Sequence, residues 1–142
     1  MRILMDTNIL VRLANAAERD HERVRRAIDA VIEDGDELVL VPQVLYEFWN
    51  VATRTQNANG LELPNDAAMA LFDEYAFGFP LLPDDSRIFG AFRGILAKYG
   101  VRGVRSHDLR LVATMVAHGV PAILTLNTRD FRRYDEIELV AV

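Results

Sequence analysis

Short apolar runs rich in branched side chains recur along the chain, separated by longer stretches in which apolar residues return every three or four positions. The runs Arg2–Asp6, Leu38–Val41, Phe79–Leu82, Ala122–Thr125 and Glu138–Val142 predict β-strands. The stretches Asn8–Ala16, Arg19–Glu33, Gln43–Gln56, Asn65–Phe77, Ser86–Tyr99 and Ser106–His118 predict helices. Gly35 and Gly119 follow helical runs as C-terminal stops, and Pro42 closes the second strand just before a helix begins. The strand runs are apolar throughout rather than alternating, so both faces of the sheet should be covered. Strand and helix alternate, which predicts a three-layer α/β/α fold with a mostly parallel sheet of about five strands. No repeat, low-complexity run or long linker divides the chain, and residues 1–142 are expected to form one domain. In sheets of this kind ligands bind beyond the carboxyl ends of the strands, so functional residues should lie just after strands or in the first turns of the helices that follow.

Composition narrows the possibilities. With 51% hydrophobic residues, the 142-residue chain can bury a sizeable core, and the absence of cysteine excludes disulfides, thiolate catalysis and Cys-based zinc sites. The opening apolar run, Ile3 to Met5, is ended by Asp6 and is too short for a signal or membrane segment, so a cytoplasmic protein without membrane attachment is expected. The net charge of -5 argues against a protein that simply coats nucleic acid. That charge is unevenly divided. From Lys98 to Arg133, seven basic and two acidic residues give +5, while nine basic and nineteen acidic residues elsewhere give -10. A phosphate-bearing substrate would be drawn to the basic part, with Arg105 and Arg129 as the residues expected to bind it.

Three carboxylates occupy positions of interest. Asp6 closes the first strand, where it could equally cap the next helix. Glu47 lies about one turn into the helix after the second strand. At ~100° per residue it falls at the edge of the apolar arc of Val44, Leu45, Phe48, Val51 and Ala52, where it either reaches the surface or, partly desolvated, needs a cation, a hydrogen-bond donor or a proton. Asp108 falls between Val112 and Met115, inside an arc that Leu111 and Val116 extend. A favourable first-turn position, worth less than ~1 kcal/mol, does not readily offset burial there. A fourth polar cluster, Asn127-Thr-Arg-Asp130, follows the strand ending at Thr125, and taken alone it reads as a turn.

Asp6, Glu47 and Asp108 all fall on one predicted edge of one sheet. Two carboxylates ~4 Å apart repel by roughly 4 kcal/mol at an effective dielectric of ~20, so three cannot stay ionised together without a cation. An all-oxygen site free of sulfur suits Mg²⁺ or Mn²⁺, which activates water and stabilises an in-line displacement at phosphorus.

Asp6-Thr-Asn-Ile-Leu10, Glu47, Ser106-His-Asp108 and Thr125-Leu-Asn-Thr-Arg-Asp-Phe131 together resemble the motifs of PIN-domain ribonucleases, from Met1 to Phe131. The abrupt start and the length are similar to those of single-domain VapC toxins of bacterial toxin-antitoxin modules. The resemblance implies a PIN-like fold and metal-dependent RNA hydrolysis leaving 5′-phosphate and 3′-hydroxyl ends. It also implies a small antitoxin that inserts a segment near the site, and a homodimer. It makes Asp6, Glu47 and Asp108 the main catalytic metal ligands, with Thr7 positioning the phosphate or the first acid. Asn127 stands where many relatives carry a fourth acid, which leaves a second metal weakly held or dependent on substrate. Asp130 could compensate, but its spacing matches a flanking position better.

The same residues admit other readings. A haloacid-dehalogenase-type phosphotransferase also places a nucleophilic Asp after its first strand, but Asn8 cannot serve as its general acid. An HD-type phosphohydrolase, suggested by His107-Asp108, would be all-helical and need more histidines than His21 and His118. A catalytically silent PIN-like module binding RNA or protein would fit the asparagine at 127, though all three acids are present. Trp49, with Tyr46 and Phe48, could stack bases but suits core or dimer packing better. Arg23, Arg25 and Arg26, surrounded by acids, read as a solvated face, and His118 as helix-end chemistry.

Overall fold

Leu4, Met5, Ile123 and Leu124 expose no side-chain surface, so the two central strands are covered on both faces, as their uninterrupted apolar runs require. The computed structural model describes all residues, Met1–Val142. In chain order the elements are β1 (Arg2–Met5), α1 (Thr7–Leu13), α2 (His21–Glu33), β2 (Glu37–Val39) and α3 (Pro42–Thr53). A 3₁₀ turn (Gln56–Ala58) precedes α4 (Asn65–Gly78), α5 (Arg87–Tyr99), α6 (Arg105–His118), β3 (Ala122–Thr125), α7 (Thr128–Phe131) and β4 (Glu138–Ala141).

The sheet is parallel throughout, in the order β2-β1-β3-β4. Ile3 on β1 pairs with Leu38 on one side and Ala122 on the other. The chain first adds β2 to one edge of β1 and later adds β3 to the opposite edge. The strand order therefore reverses between β1 and β3, and the carboxyl ends of these two strands flank the crevice where such sheets bind ligands.

The sheet has four strands rather than about five. Phe79–Leu82 contributes one parallel bridge, Leu40 to Leu81, secured by the Leu40 N–H to Pro80 O and the Leu82 N–H to Leu40 O, each 2.9 Å. Pro80 brings no N–H and Pro83 follows two residues after Leu81, so the ladder cannot lengthen. Two helices stop earlier than the pattern predicts, α1 at Leu13 and α3 at Thr53, and Thr128–Phe131 is a one-turn helix rather than a simple turn. Gly119, at φ 64°, closes α6 in the left-handed conformation. Pro42 opens α3 at its first turn, where its missing N–H is no loss.

The buried arc of α3 is Val44, Leu45, Phe48 and Ala52, and that of α6 includes Leu111, Val112 and Met115. Val116, expected in the α6 arc, is 42% exposed. Phe48 meets Tyr75 edge to face at 5.1 Å, and the Tyr75 hydroxyl donates to Leu10 O at 3.0 Å, fastening α4 to α1. Arg23 and Arg25 pair with Asp20 and Glu22 on the solvated face of α2. His118 does more than close its helix, because its Nε2 lies 2.7 Å from Pro83 O and fixes the loop before α5.

Candidate functional site

Asp6 follows β1 directly, and its backbone N–H continues the sheet by donating to Leu124 O at 3.0 Å. This places the carboxylate at the reversal point of strand order. It is also the N-cap of α1, accepting the Thr7 N–H on Oδ1 at 2.7 Å. Its other oxygen accepts from Asn8 Nδ2 at 2.8 Å and from the Thr125 hydroxyl at 2.6 Å. The capping role and a role in a polar site thus coexist in one side chain. Asp6 is only 7% exposed. Burial pushes its carboxyl up from 3.8 to about 6, against the pull of the Thr125 and Thr7 hydrogen bonds, and the charges of Glu47 and Asp108 add to the rise.

Glu47, half-buried on α3, is held from two sides. The Thr7 hydroxyl donates to Oε2 at 2.8 Å and Gln43 Nε2 to Oε1 at 3.0 Å. Gln43, one turn earlier and buried, also donates to His107 O at 2.8 Å and accepts from Arg110 Nη1 at 2.8 Å. Through this one amide, α3 and the first turn of α6 are locked together, which fixes Glu47 relative to Asp108. The Asp108 carboxyl is raised by burial first, then by the charges of Asp130 and Glu47, while Arg105 and His107 oppose the rise.

Asp6, Thr7, Glu47, Asp108 and Asn127 line one pocket, together with Asn8, Arg12, Arg54 and Asn59 and the apolar side chains of Val11, Val51 and Phe131. Arg105 and Arg129, expected to bind the substrate, lie outside it, as does Asp130. Arg105 pairs with Asp130 at 3.2 Å, and Arg129 is exposed and does not reach the lining. Much of the basic segment is locally neutralised, since Lys98 pairs with Glu136 at 2.9 Å and Arg110 with Asp84 at 3.2 Å.

The pocket's own cations, Arg12 and Arg54, come from the acidic part of the chain and carry no local signal in the sequence. Asn8 and Thr125 were visible only as members of motif strings, and the structure shows them bonded to Asp6. Gln43 had a legible sign, its four-residue spacing from Glu47 on one helix face.

The donor set is entirely oxygen, which fits Mg²⁺ or Mn²⁺. No three of the acidic side chains converge closely enough to enclose an ion by themselves. Mg²⁺ ordinarily keeps several waters and uses one or two carboxylates, so the side chains present fit that ion with water completing its shell. A raised Asp6 beside two further acids is the electrostatic signature of a site that gains from a cation.

Residues 3–137 match the PIN domain family. Ribonuclease VapC from Rickettsia bellii (strain RML369-C) is 29% identical over 146 residues, an alignment covering 100% of this chain and 97% of that protein. The solved VapBC2 from Rickettsia felis, bound to a DNA fragment from its promoter, superposes with a TM-score of 0.74 at 15% identity, over 100% of this chain and 99% of that one. VapBC-1 from nontypeable Haemophilus influenzae does so with a TM-score of 0.71 at 16% identity, over 99% and 98% of the two chains. At these identities the structural likeness concerns the fold.

Proposed function

The chain belongs to the PIN domain family, and from that premise we propose that Asp6, Glu47 and Asp108, with Asn127, form the metal-dependent centre of a VapC-type ribonuclease, the toxin of a toxin-antitoxin pair. The observation that carries this reading is a single pocket at the reversal of strand order lined by three acids, Asp6 just after β1, Glu47 on α3 and Asp108 on α6, with Asp6 pushed up to about 6. A Mg²⁺ or Mn²⁺ held there would activate a water and stabilise the charge that develops on the phosphodiester during displacement.

The chain's own residues provide the framework. Three donors hold Asp6 in one rotamer, so its carboxylate is aimed before any ligand arrives. Thr7 and Gln43 hold Glu47 in the same way, and Gln43 keeps α6 and Asp108 in register with it. Asn127 offers a carbonyl oxygen without charge, and its own N–H donates to the Thr125 hydroxyl oxygen at 2.9 Å. Asp130, tied to Arg105, tunes Asp108 from outside the pocket rather than replacing Asn127. The substrate is RNA, cut to 5′-phosphate and 3′-hydroxyl ends. A small antitoxin is the proposed partner, consistent with the VapBC assemblies whose fold the chain shares. A homodimer is proposed as well. No helix is long and apolar enough to cross a membrane, and the proposed place of action is the cytoplasm.

Cleavage of a total-RNA preparation by the purified protein in Mg²⁺ or Mn²⁺ tests the reading. Asp6→Asn and Asp108→Asn should abolish cleavage while remaining folded by circular dichroism, and excess EDTA should silence the wild type. Wild-type rates in either variant, or full activity in EDTA, would refute the assignment.

A further inference from the structure

Two arginines, Arg12 and Arg54, line the pocket alongside the acidic residues. In the whole molecule two buried side-chain nitrogens have no hydrogen-bond partner, and they are the Nε atoms of these two arginines. A guanidinium N–H withheld from water without an acceptor is unfavourable, so each of the two groups is one acceptor short. Arg12 is partly engaged, with Glu18 at 3.2 Å and Asp20 at 3.9 Å. Arg54 has no carboxylate within ion-pair distance, and its one side-chain bond runs from Nη2 to Asn59 O at 3.3 Å.

The chain after α3 is shaped around Arg54. Asn59 and Glu62 are the two non-glycine residues with positive φ, at 59° and 52°. Between them, a Cβ on Gly60 would lie 1.9 Å from Arg54 O and 2.3 Å from its Cγ, so only glycine permits this approach. The N–H groups of Leu61, Glu62 and Leu63 donate back to Val51, Arg54 and Ala52 at 2.9 to 3.0 Å. Residues 55–63 thus fold over the end of α3 and press on the Arg54 side chain, and Asn59 reaches the pocket wall.

We propose that Arg54, seated by this turn and assisted by Arg12, anchors an RNA backbone phosphate next to the bond that is cut. The inference rests on the ribonuclease reading above. A pocket lined by Asp6, Glu47 and Asp108 repels a polyanion, and the planar guanidinium fork is the group best suited to grip a phosphate on two oxygens. Arg54 has no internal carboxylate to compete for it, whereas Arg105 and Arg110 are already paired.

The test measures binding, so that it does not depend on turnover. In an Asp6→Asn background, a short fluorescein-labelled single-stranded RNA of mixed sequence is titrated by anisotropy across a range of KCl concentrations. Adding Arg54→Ala should weaken binding about tenfold or more, the size expected for one charge-assisted hydrogen-bonded pair. It should also flatten the plot of log affinity against log salt by ~0.7, the contribution of one single-strand phosphate contact. Arg54→Lys should keep the slope but lose part of the affinity, because the point charge remains and the fork is gone. Gly60→Ala should weaken binding while leaving every charge in place. Unchanged affinity in Arg54→Ala, or lost affinity with an unchanged salt slope, overturns the anchor even while the wild type cleaves RNA. If the wild type neither cleaves nor binds RNA, the ribonuclease reading fails and the anchor fails with it.

Discussion

Replacing Asp6 by asparagine should change the pH dependence of stability in a way that follows from the burial of that one carboxyl. In the metal-free protein its pKa is raised from 3.8 to about 6. The folded state therefore holds the proton more tightly than the unfolded chain does. The resulting stabilisation is fully present below about pH 4, declines between pH 4 and 6, and is gone above the folded value. Raising the carboxyl from 3.8 to about 6 corresponds to roughly 3 kcal/mol. Asparagine cannot ionise, so the variant should lack this decline.

Asparagine has a second effect of opposite sign. Oδ2 accepts from Asn8 and Thr125, and an amide nitrogen in its place meets those donors as another donor, at about 1 kcal/mol for each bond lost. That loss is similar at every pH. The variant should then be less stable than the wild type at pH 4 and equal or better at pH 7, with the difference between the two proteins changing by about 3 kcal/mol across the interval. Urea unfolding of both proteins in EDTA, at half-unit steps of pH, measures this directly. Asp108 is raised in the same sense but is present in both proteins, so the comparison isolates Asp6. A difference that stays constant with pH, or moves the other way, would show that Asp6 is ionised in the fold without penalty. Adding Mg²⁺ at pH 7 should stabilise the wild type more than Asp6→Asn, since an ion that binds only the folded state shifts the equilibrium by mass action.

Two further substitutions probe the supports of the site and of the core. Gln43→Leu leaves Glu47, His107 O and Arg110 each short of a partner, and should lower stability by about 1 to 3 kcal/mol and slow single-turnover RNA cleavage about tenfold or more. Unchanged rate and urea midpoint together would show that the amide does not position Glu47. Phe48→Ala removes a ring with no exposed surface that packs on Tyr75, and should destabilise by about 3 to 5 kcal/mol in the same unfolding assay. A loss below about 1 kcal/mol would mean that the layer between α3 and α4 refills the space.

The acids were legible because each breaks a local rule. Asp108 sits in an apolar arc, Glu47 sits at the edge of one, and Asp6 ends a strand that is otherwise buried. The cost of burying charge is a local property, and a helical wheel exposes it. The hydroxyls and amides that hold those acids are individually cheap to place, so Thr125, Asn8 and Gln43 gave little sign of their role before the strands and helices were assembled around them.

Amino-acid order alone determined the covered, parallel character of the sheet, because branched apolar runs with no polar alternation have to be buried on both faces. It also determined the helix stops at Gly35 and Gly119, where the backbone takes positive φ. Tertiary structure decided what depends on how distant segments meet. The expected fifth strand shrank to a single bridge because Pro80 interrupts its donors at an edge. The cations of the pocket proved to be Arg12 and Arg54 rather than Arg105 and Arg129. Charge counted along a chain does not say which side chains a fold turns inward, and here one turn of α1 and the Gly60 bend made that choice.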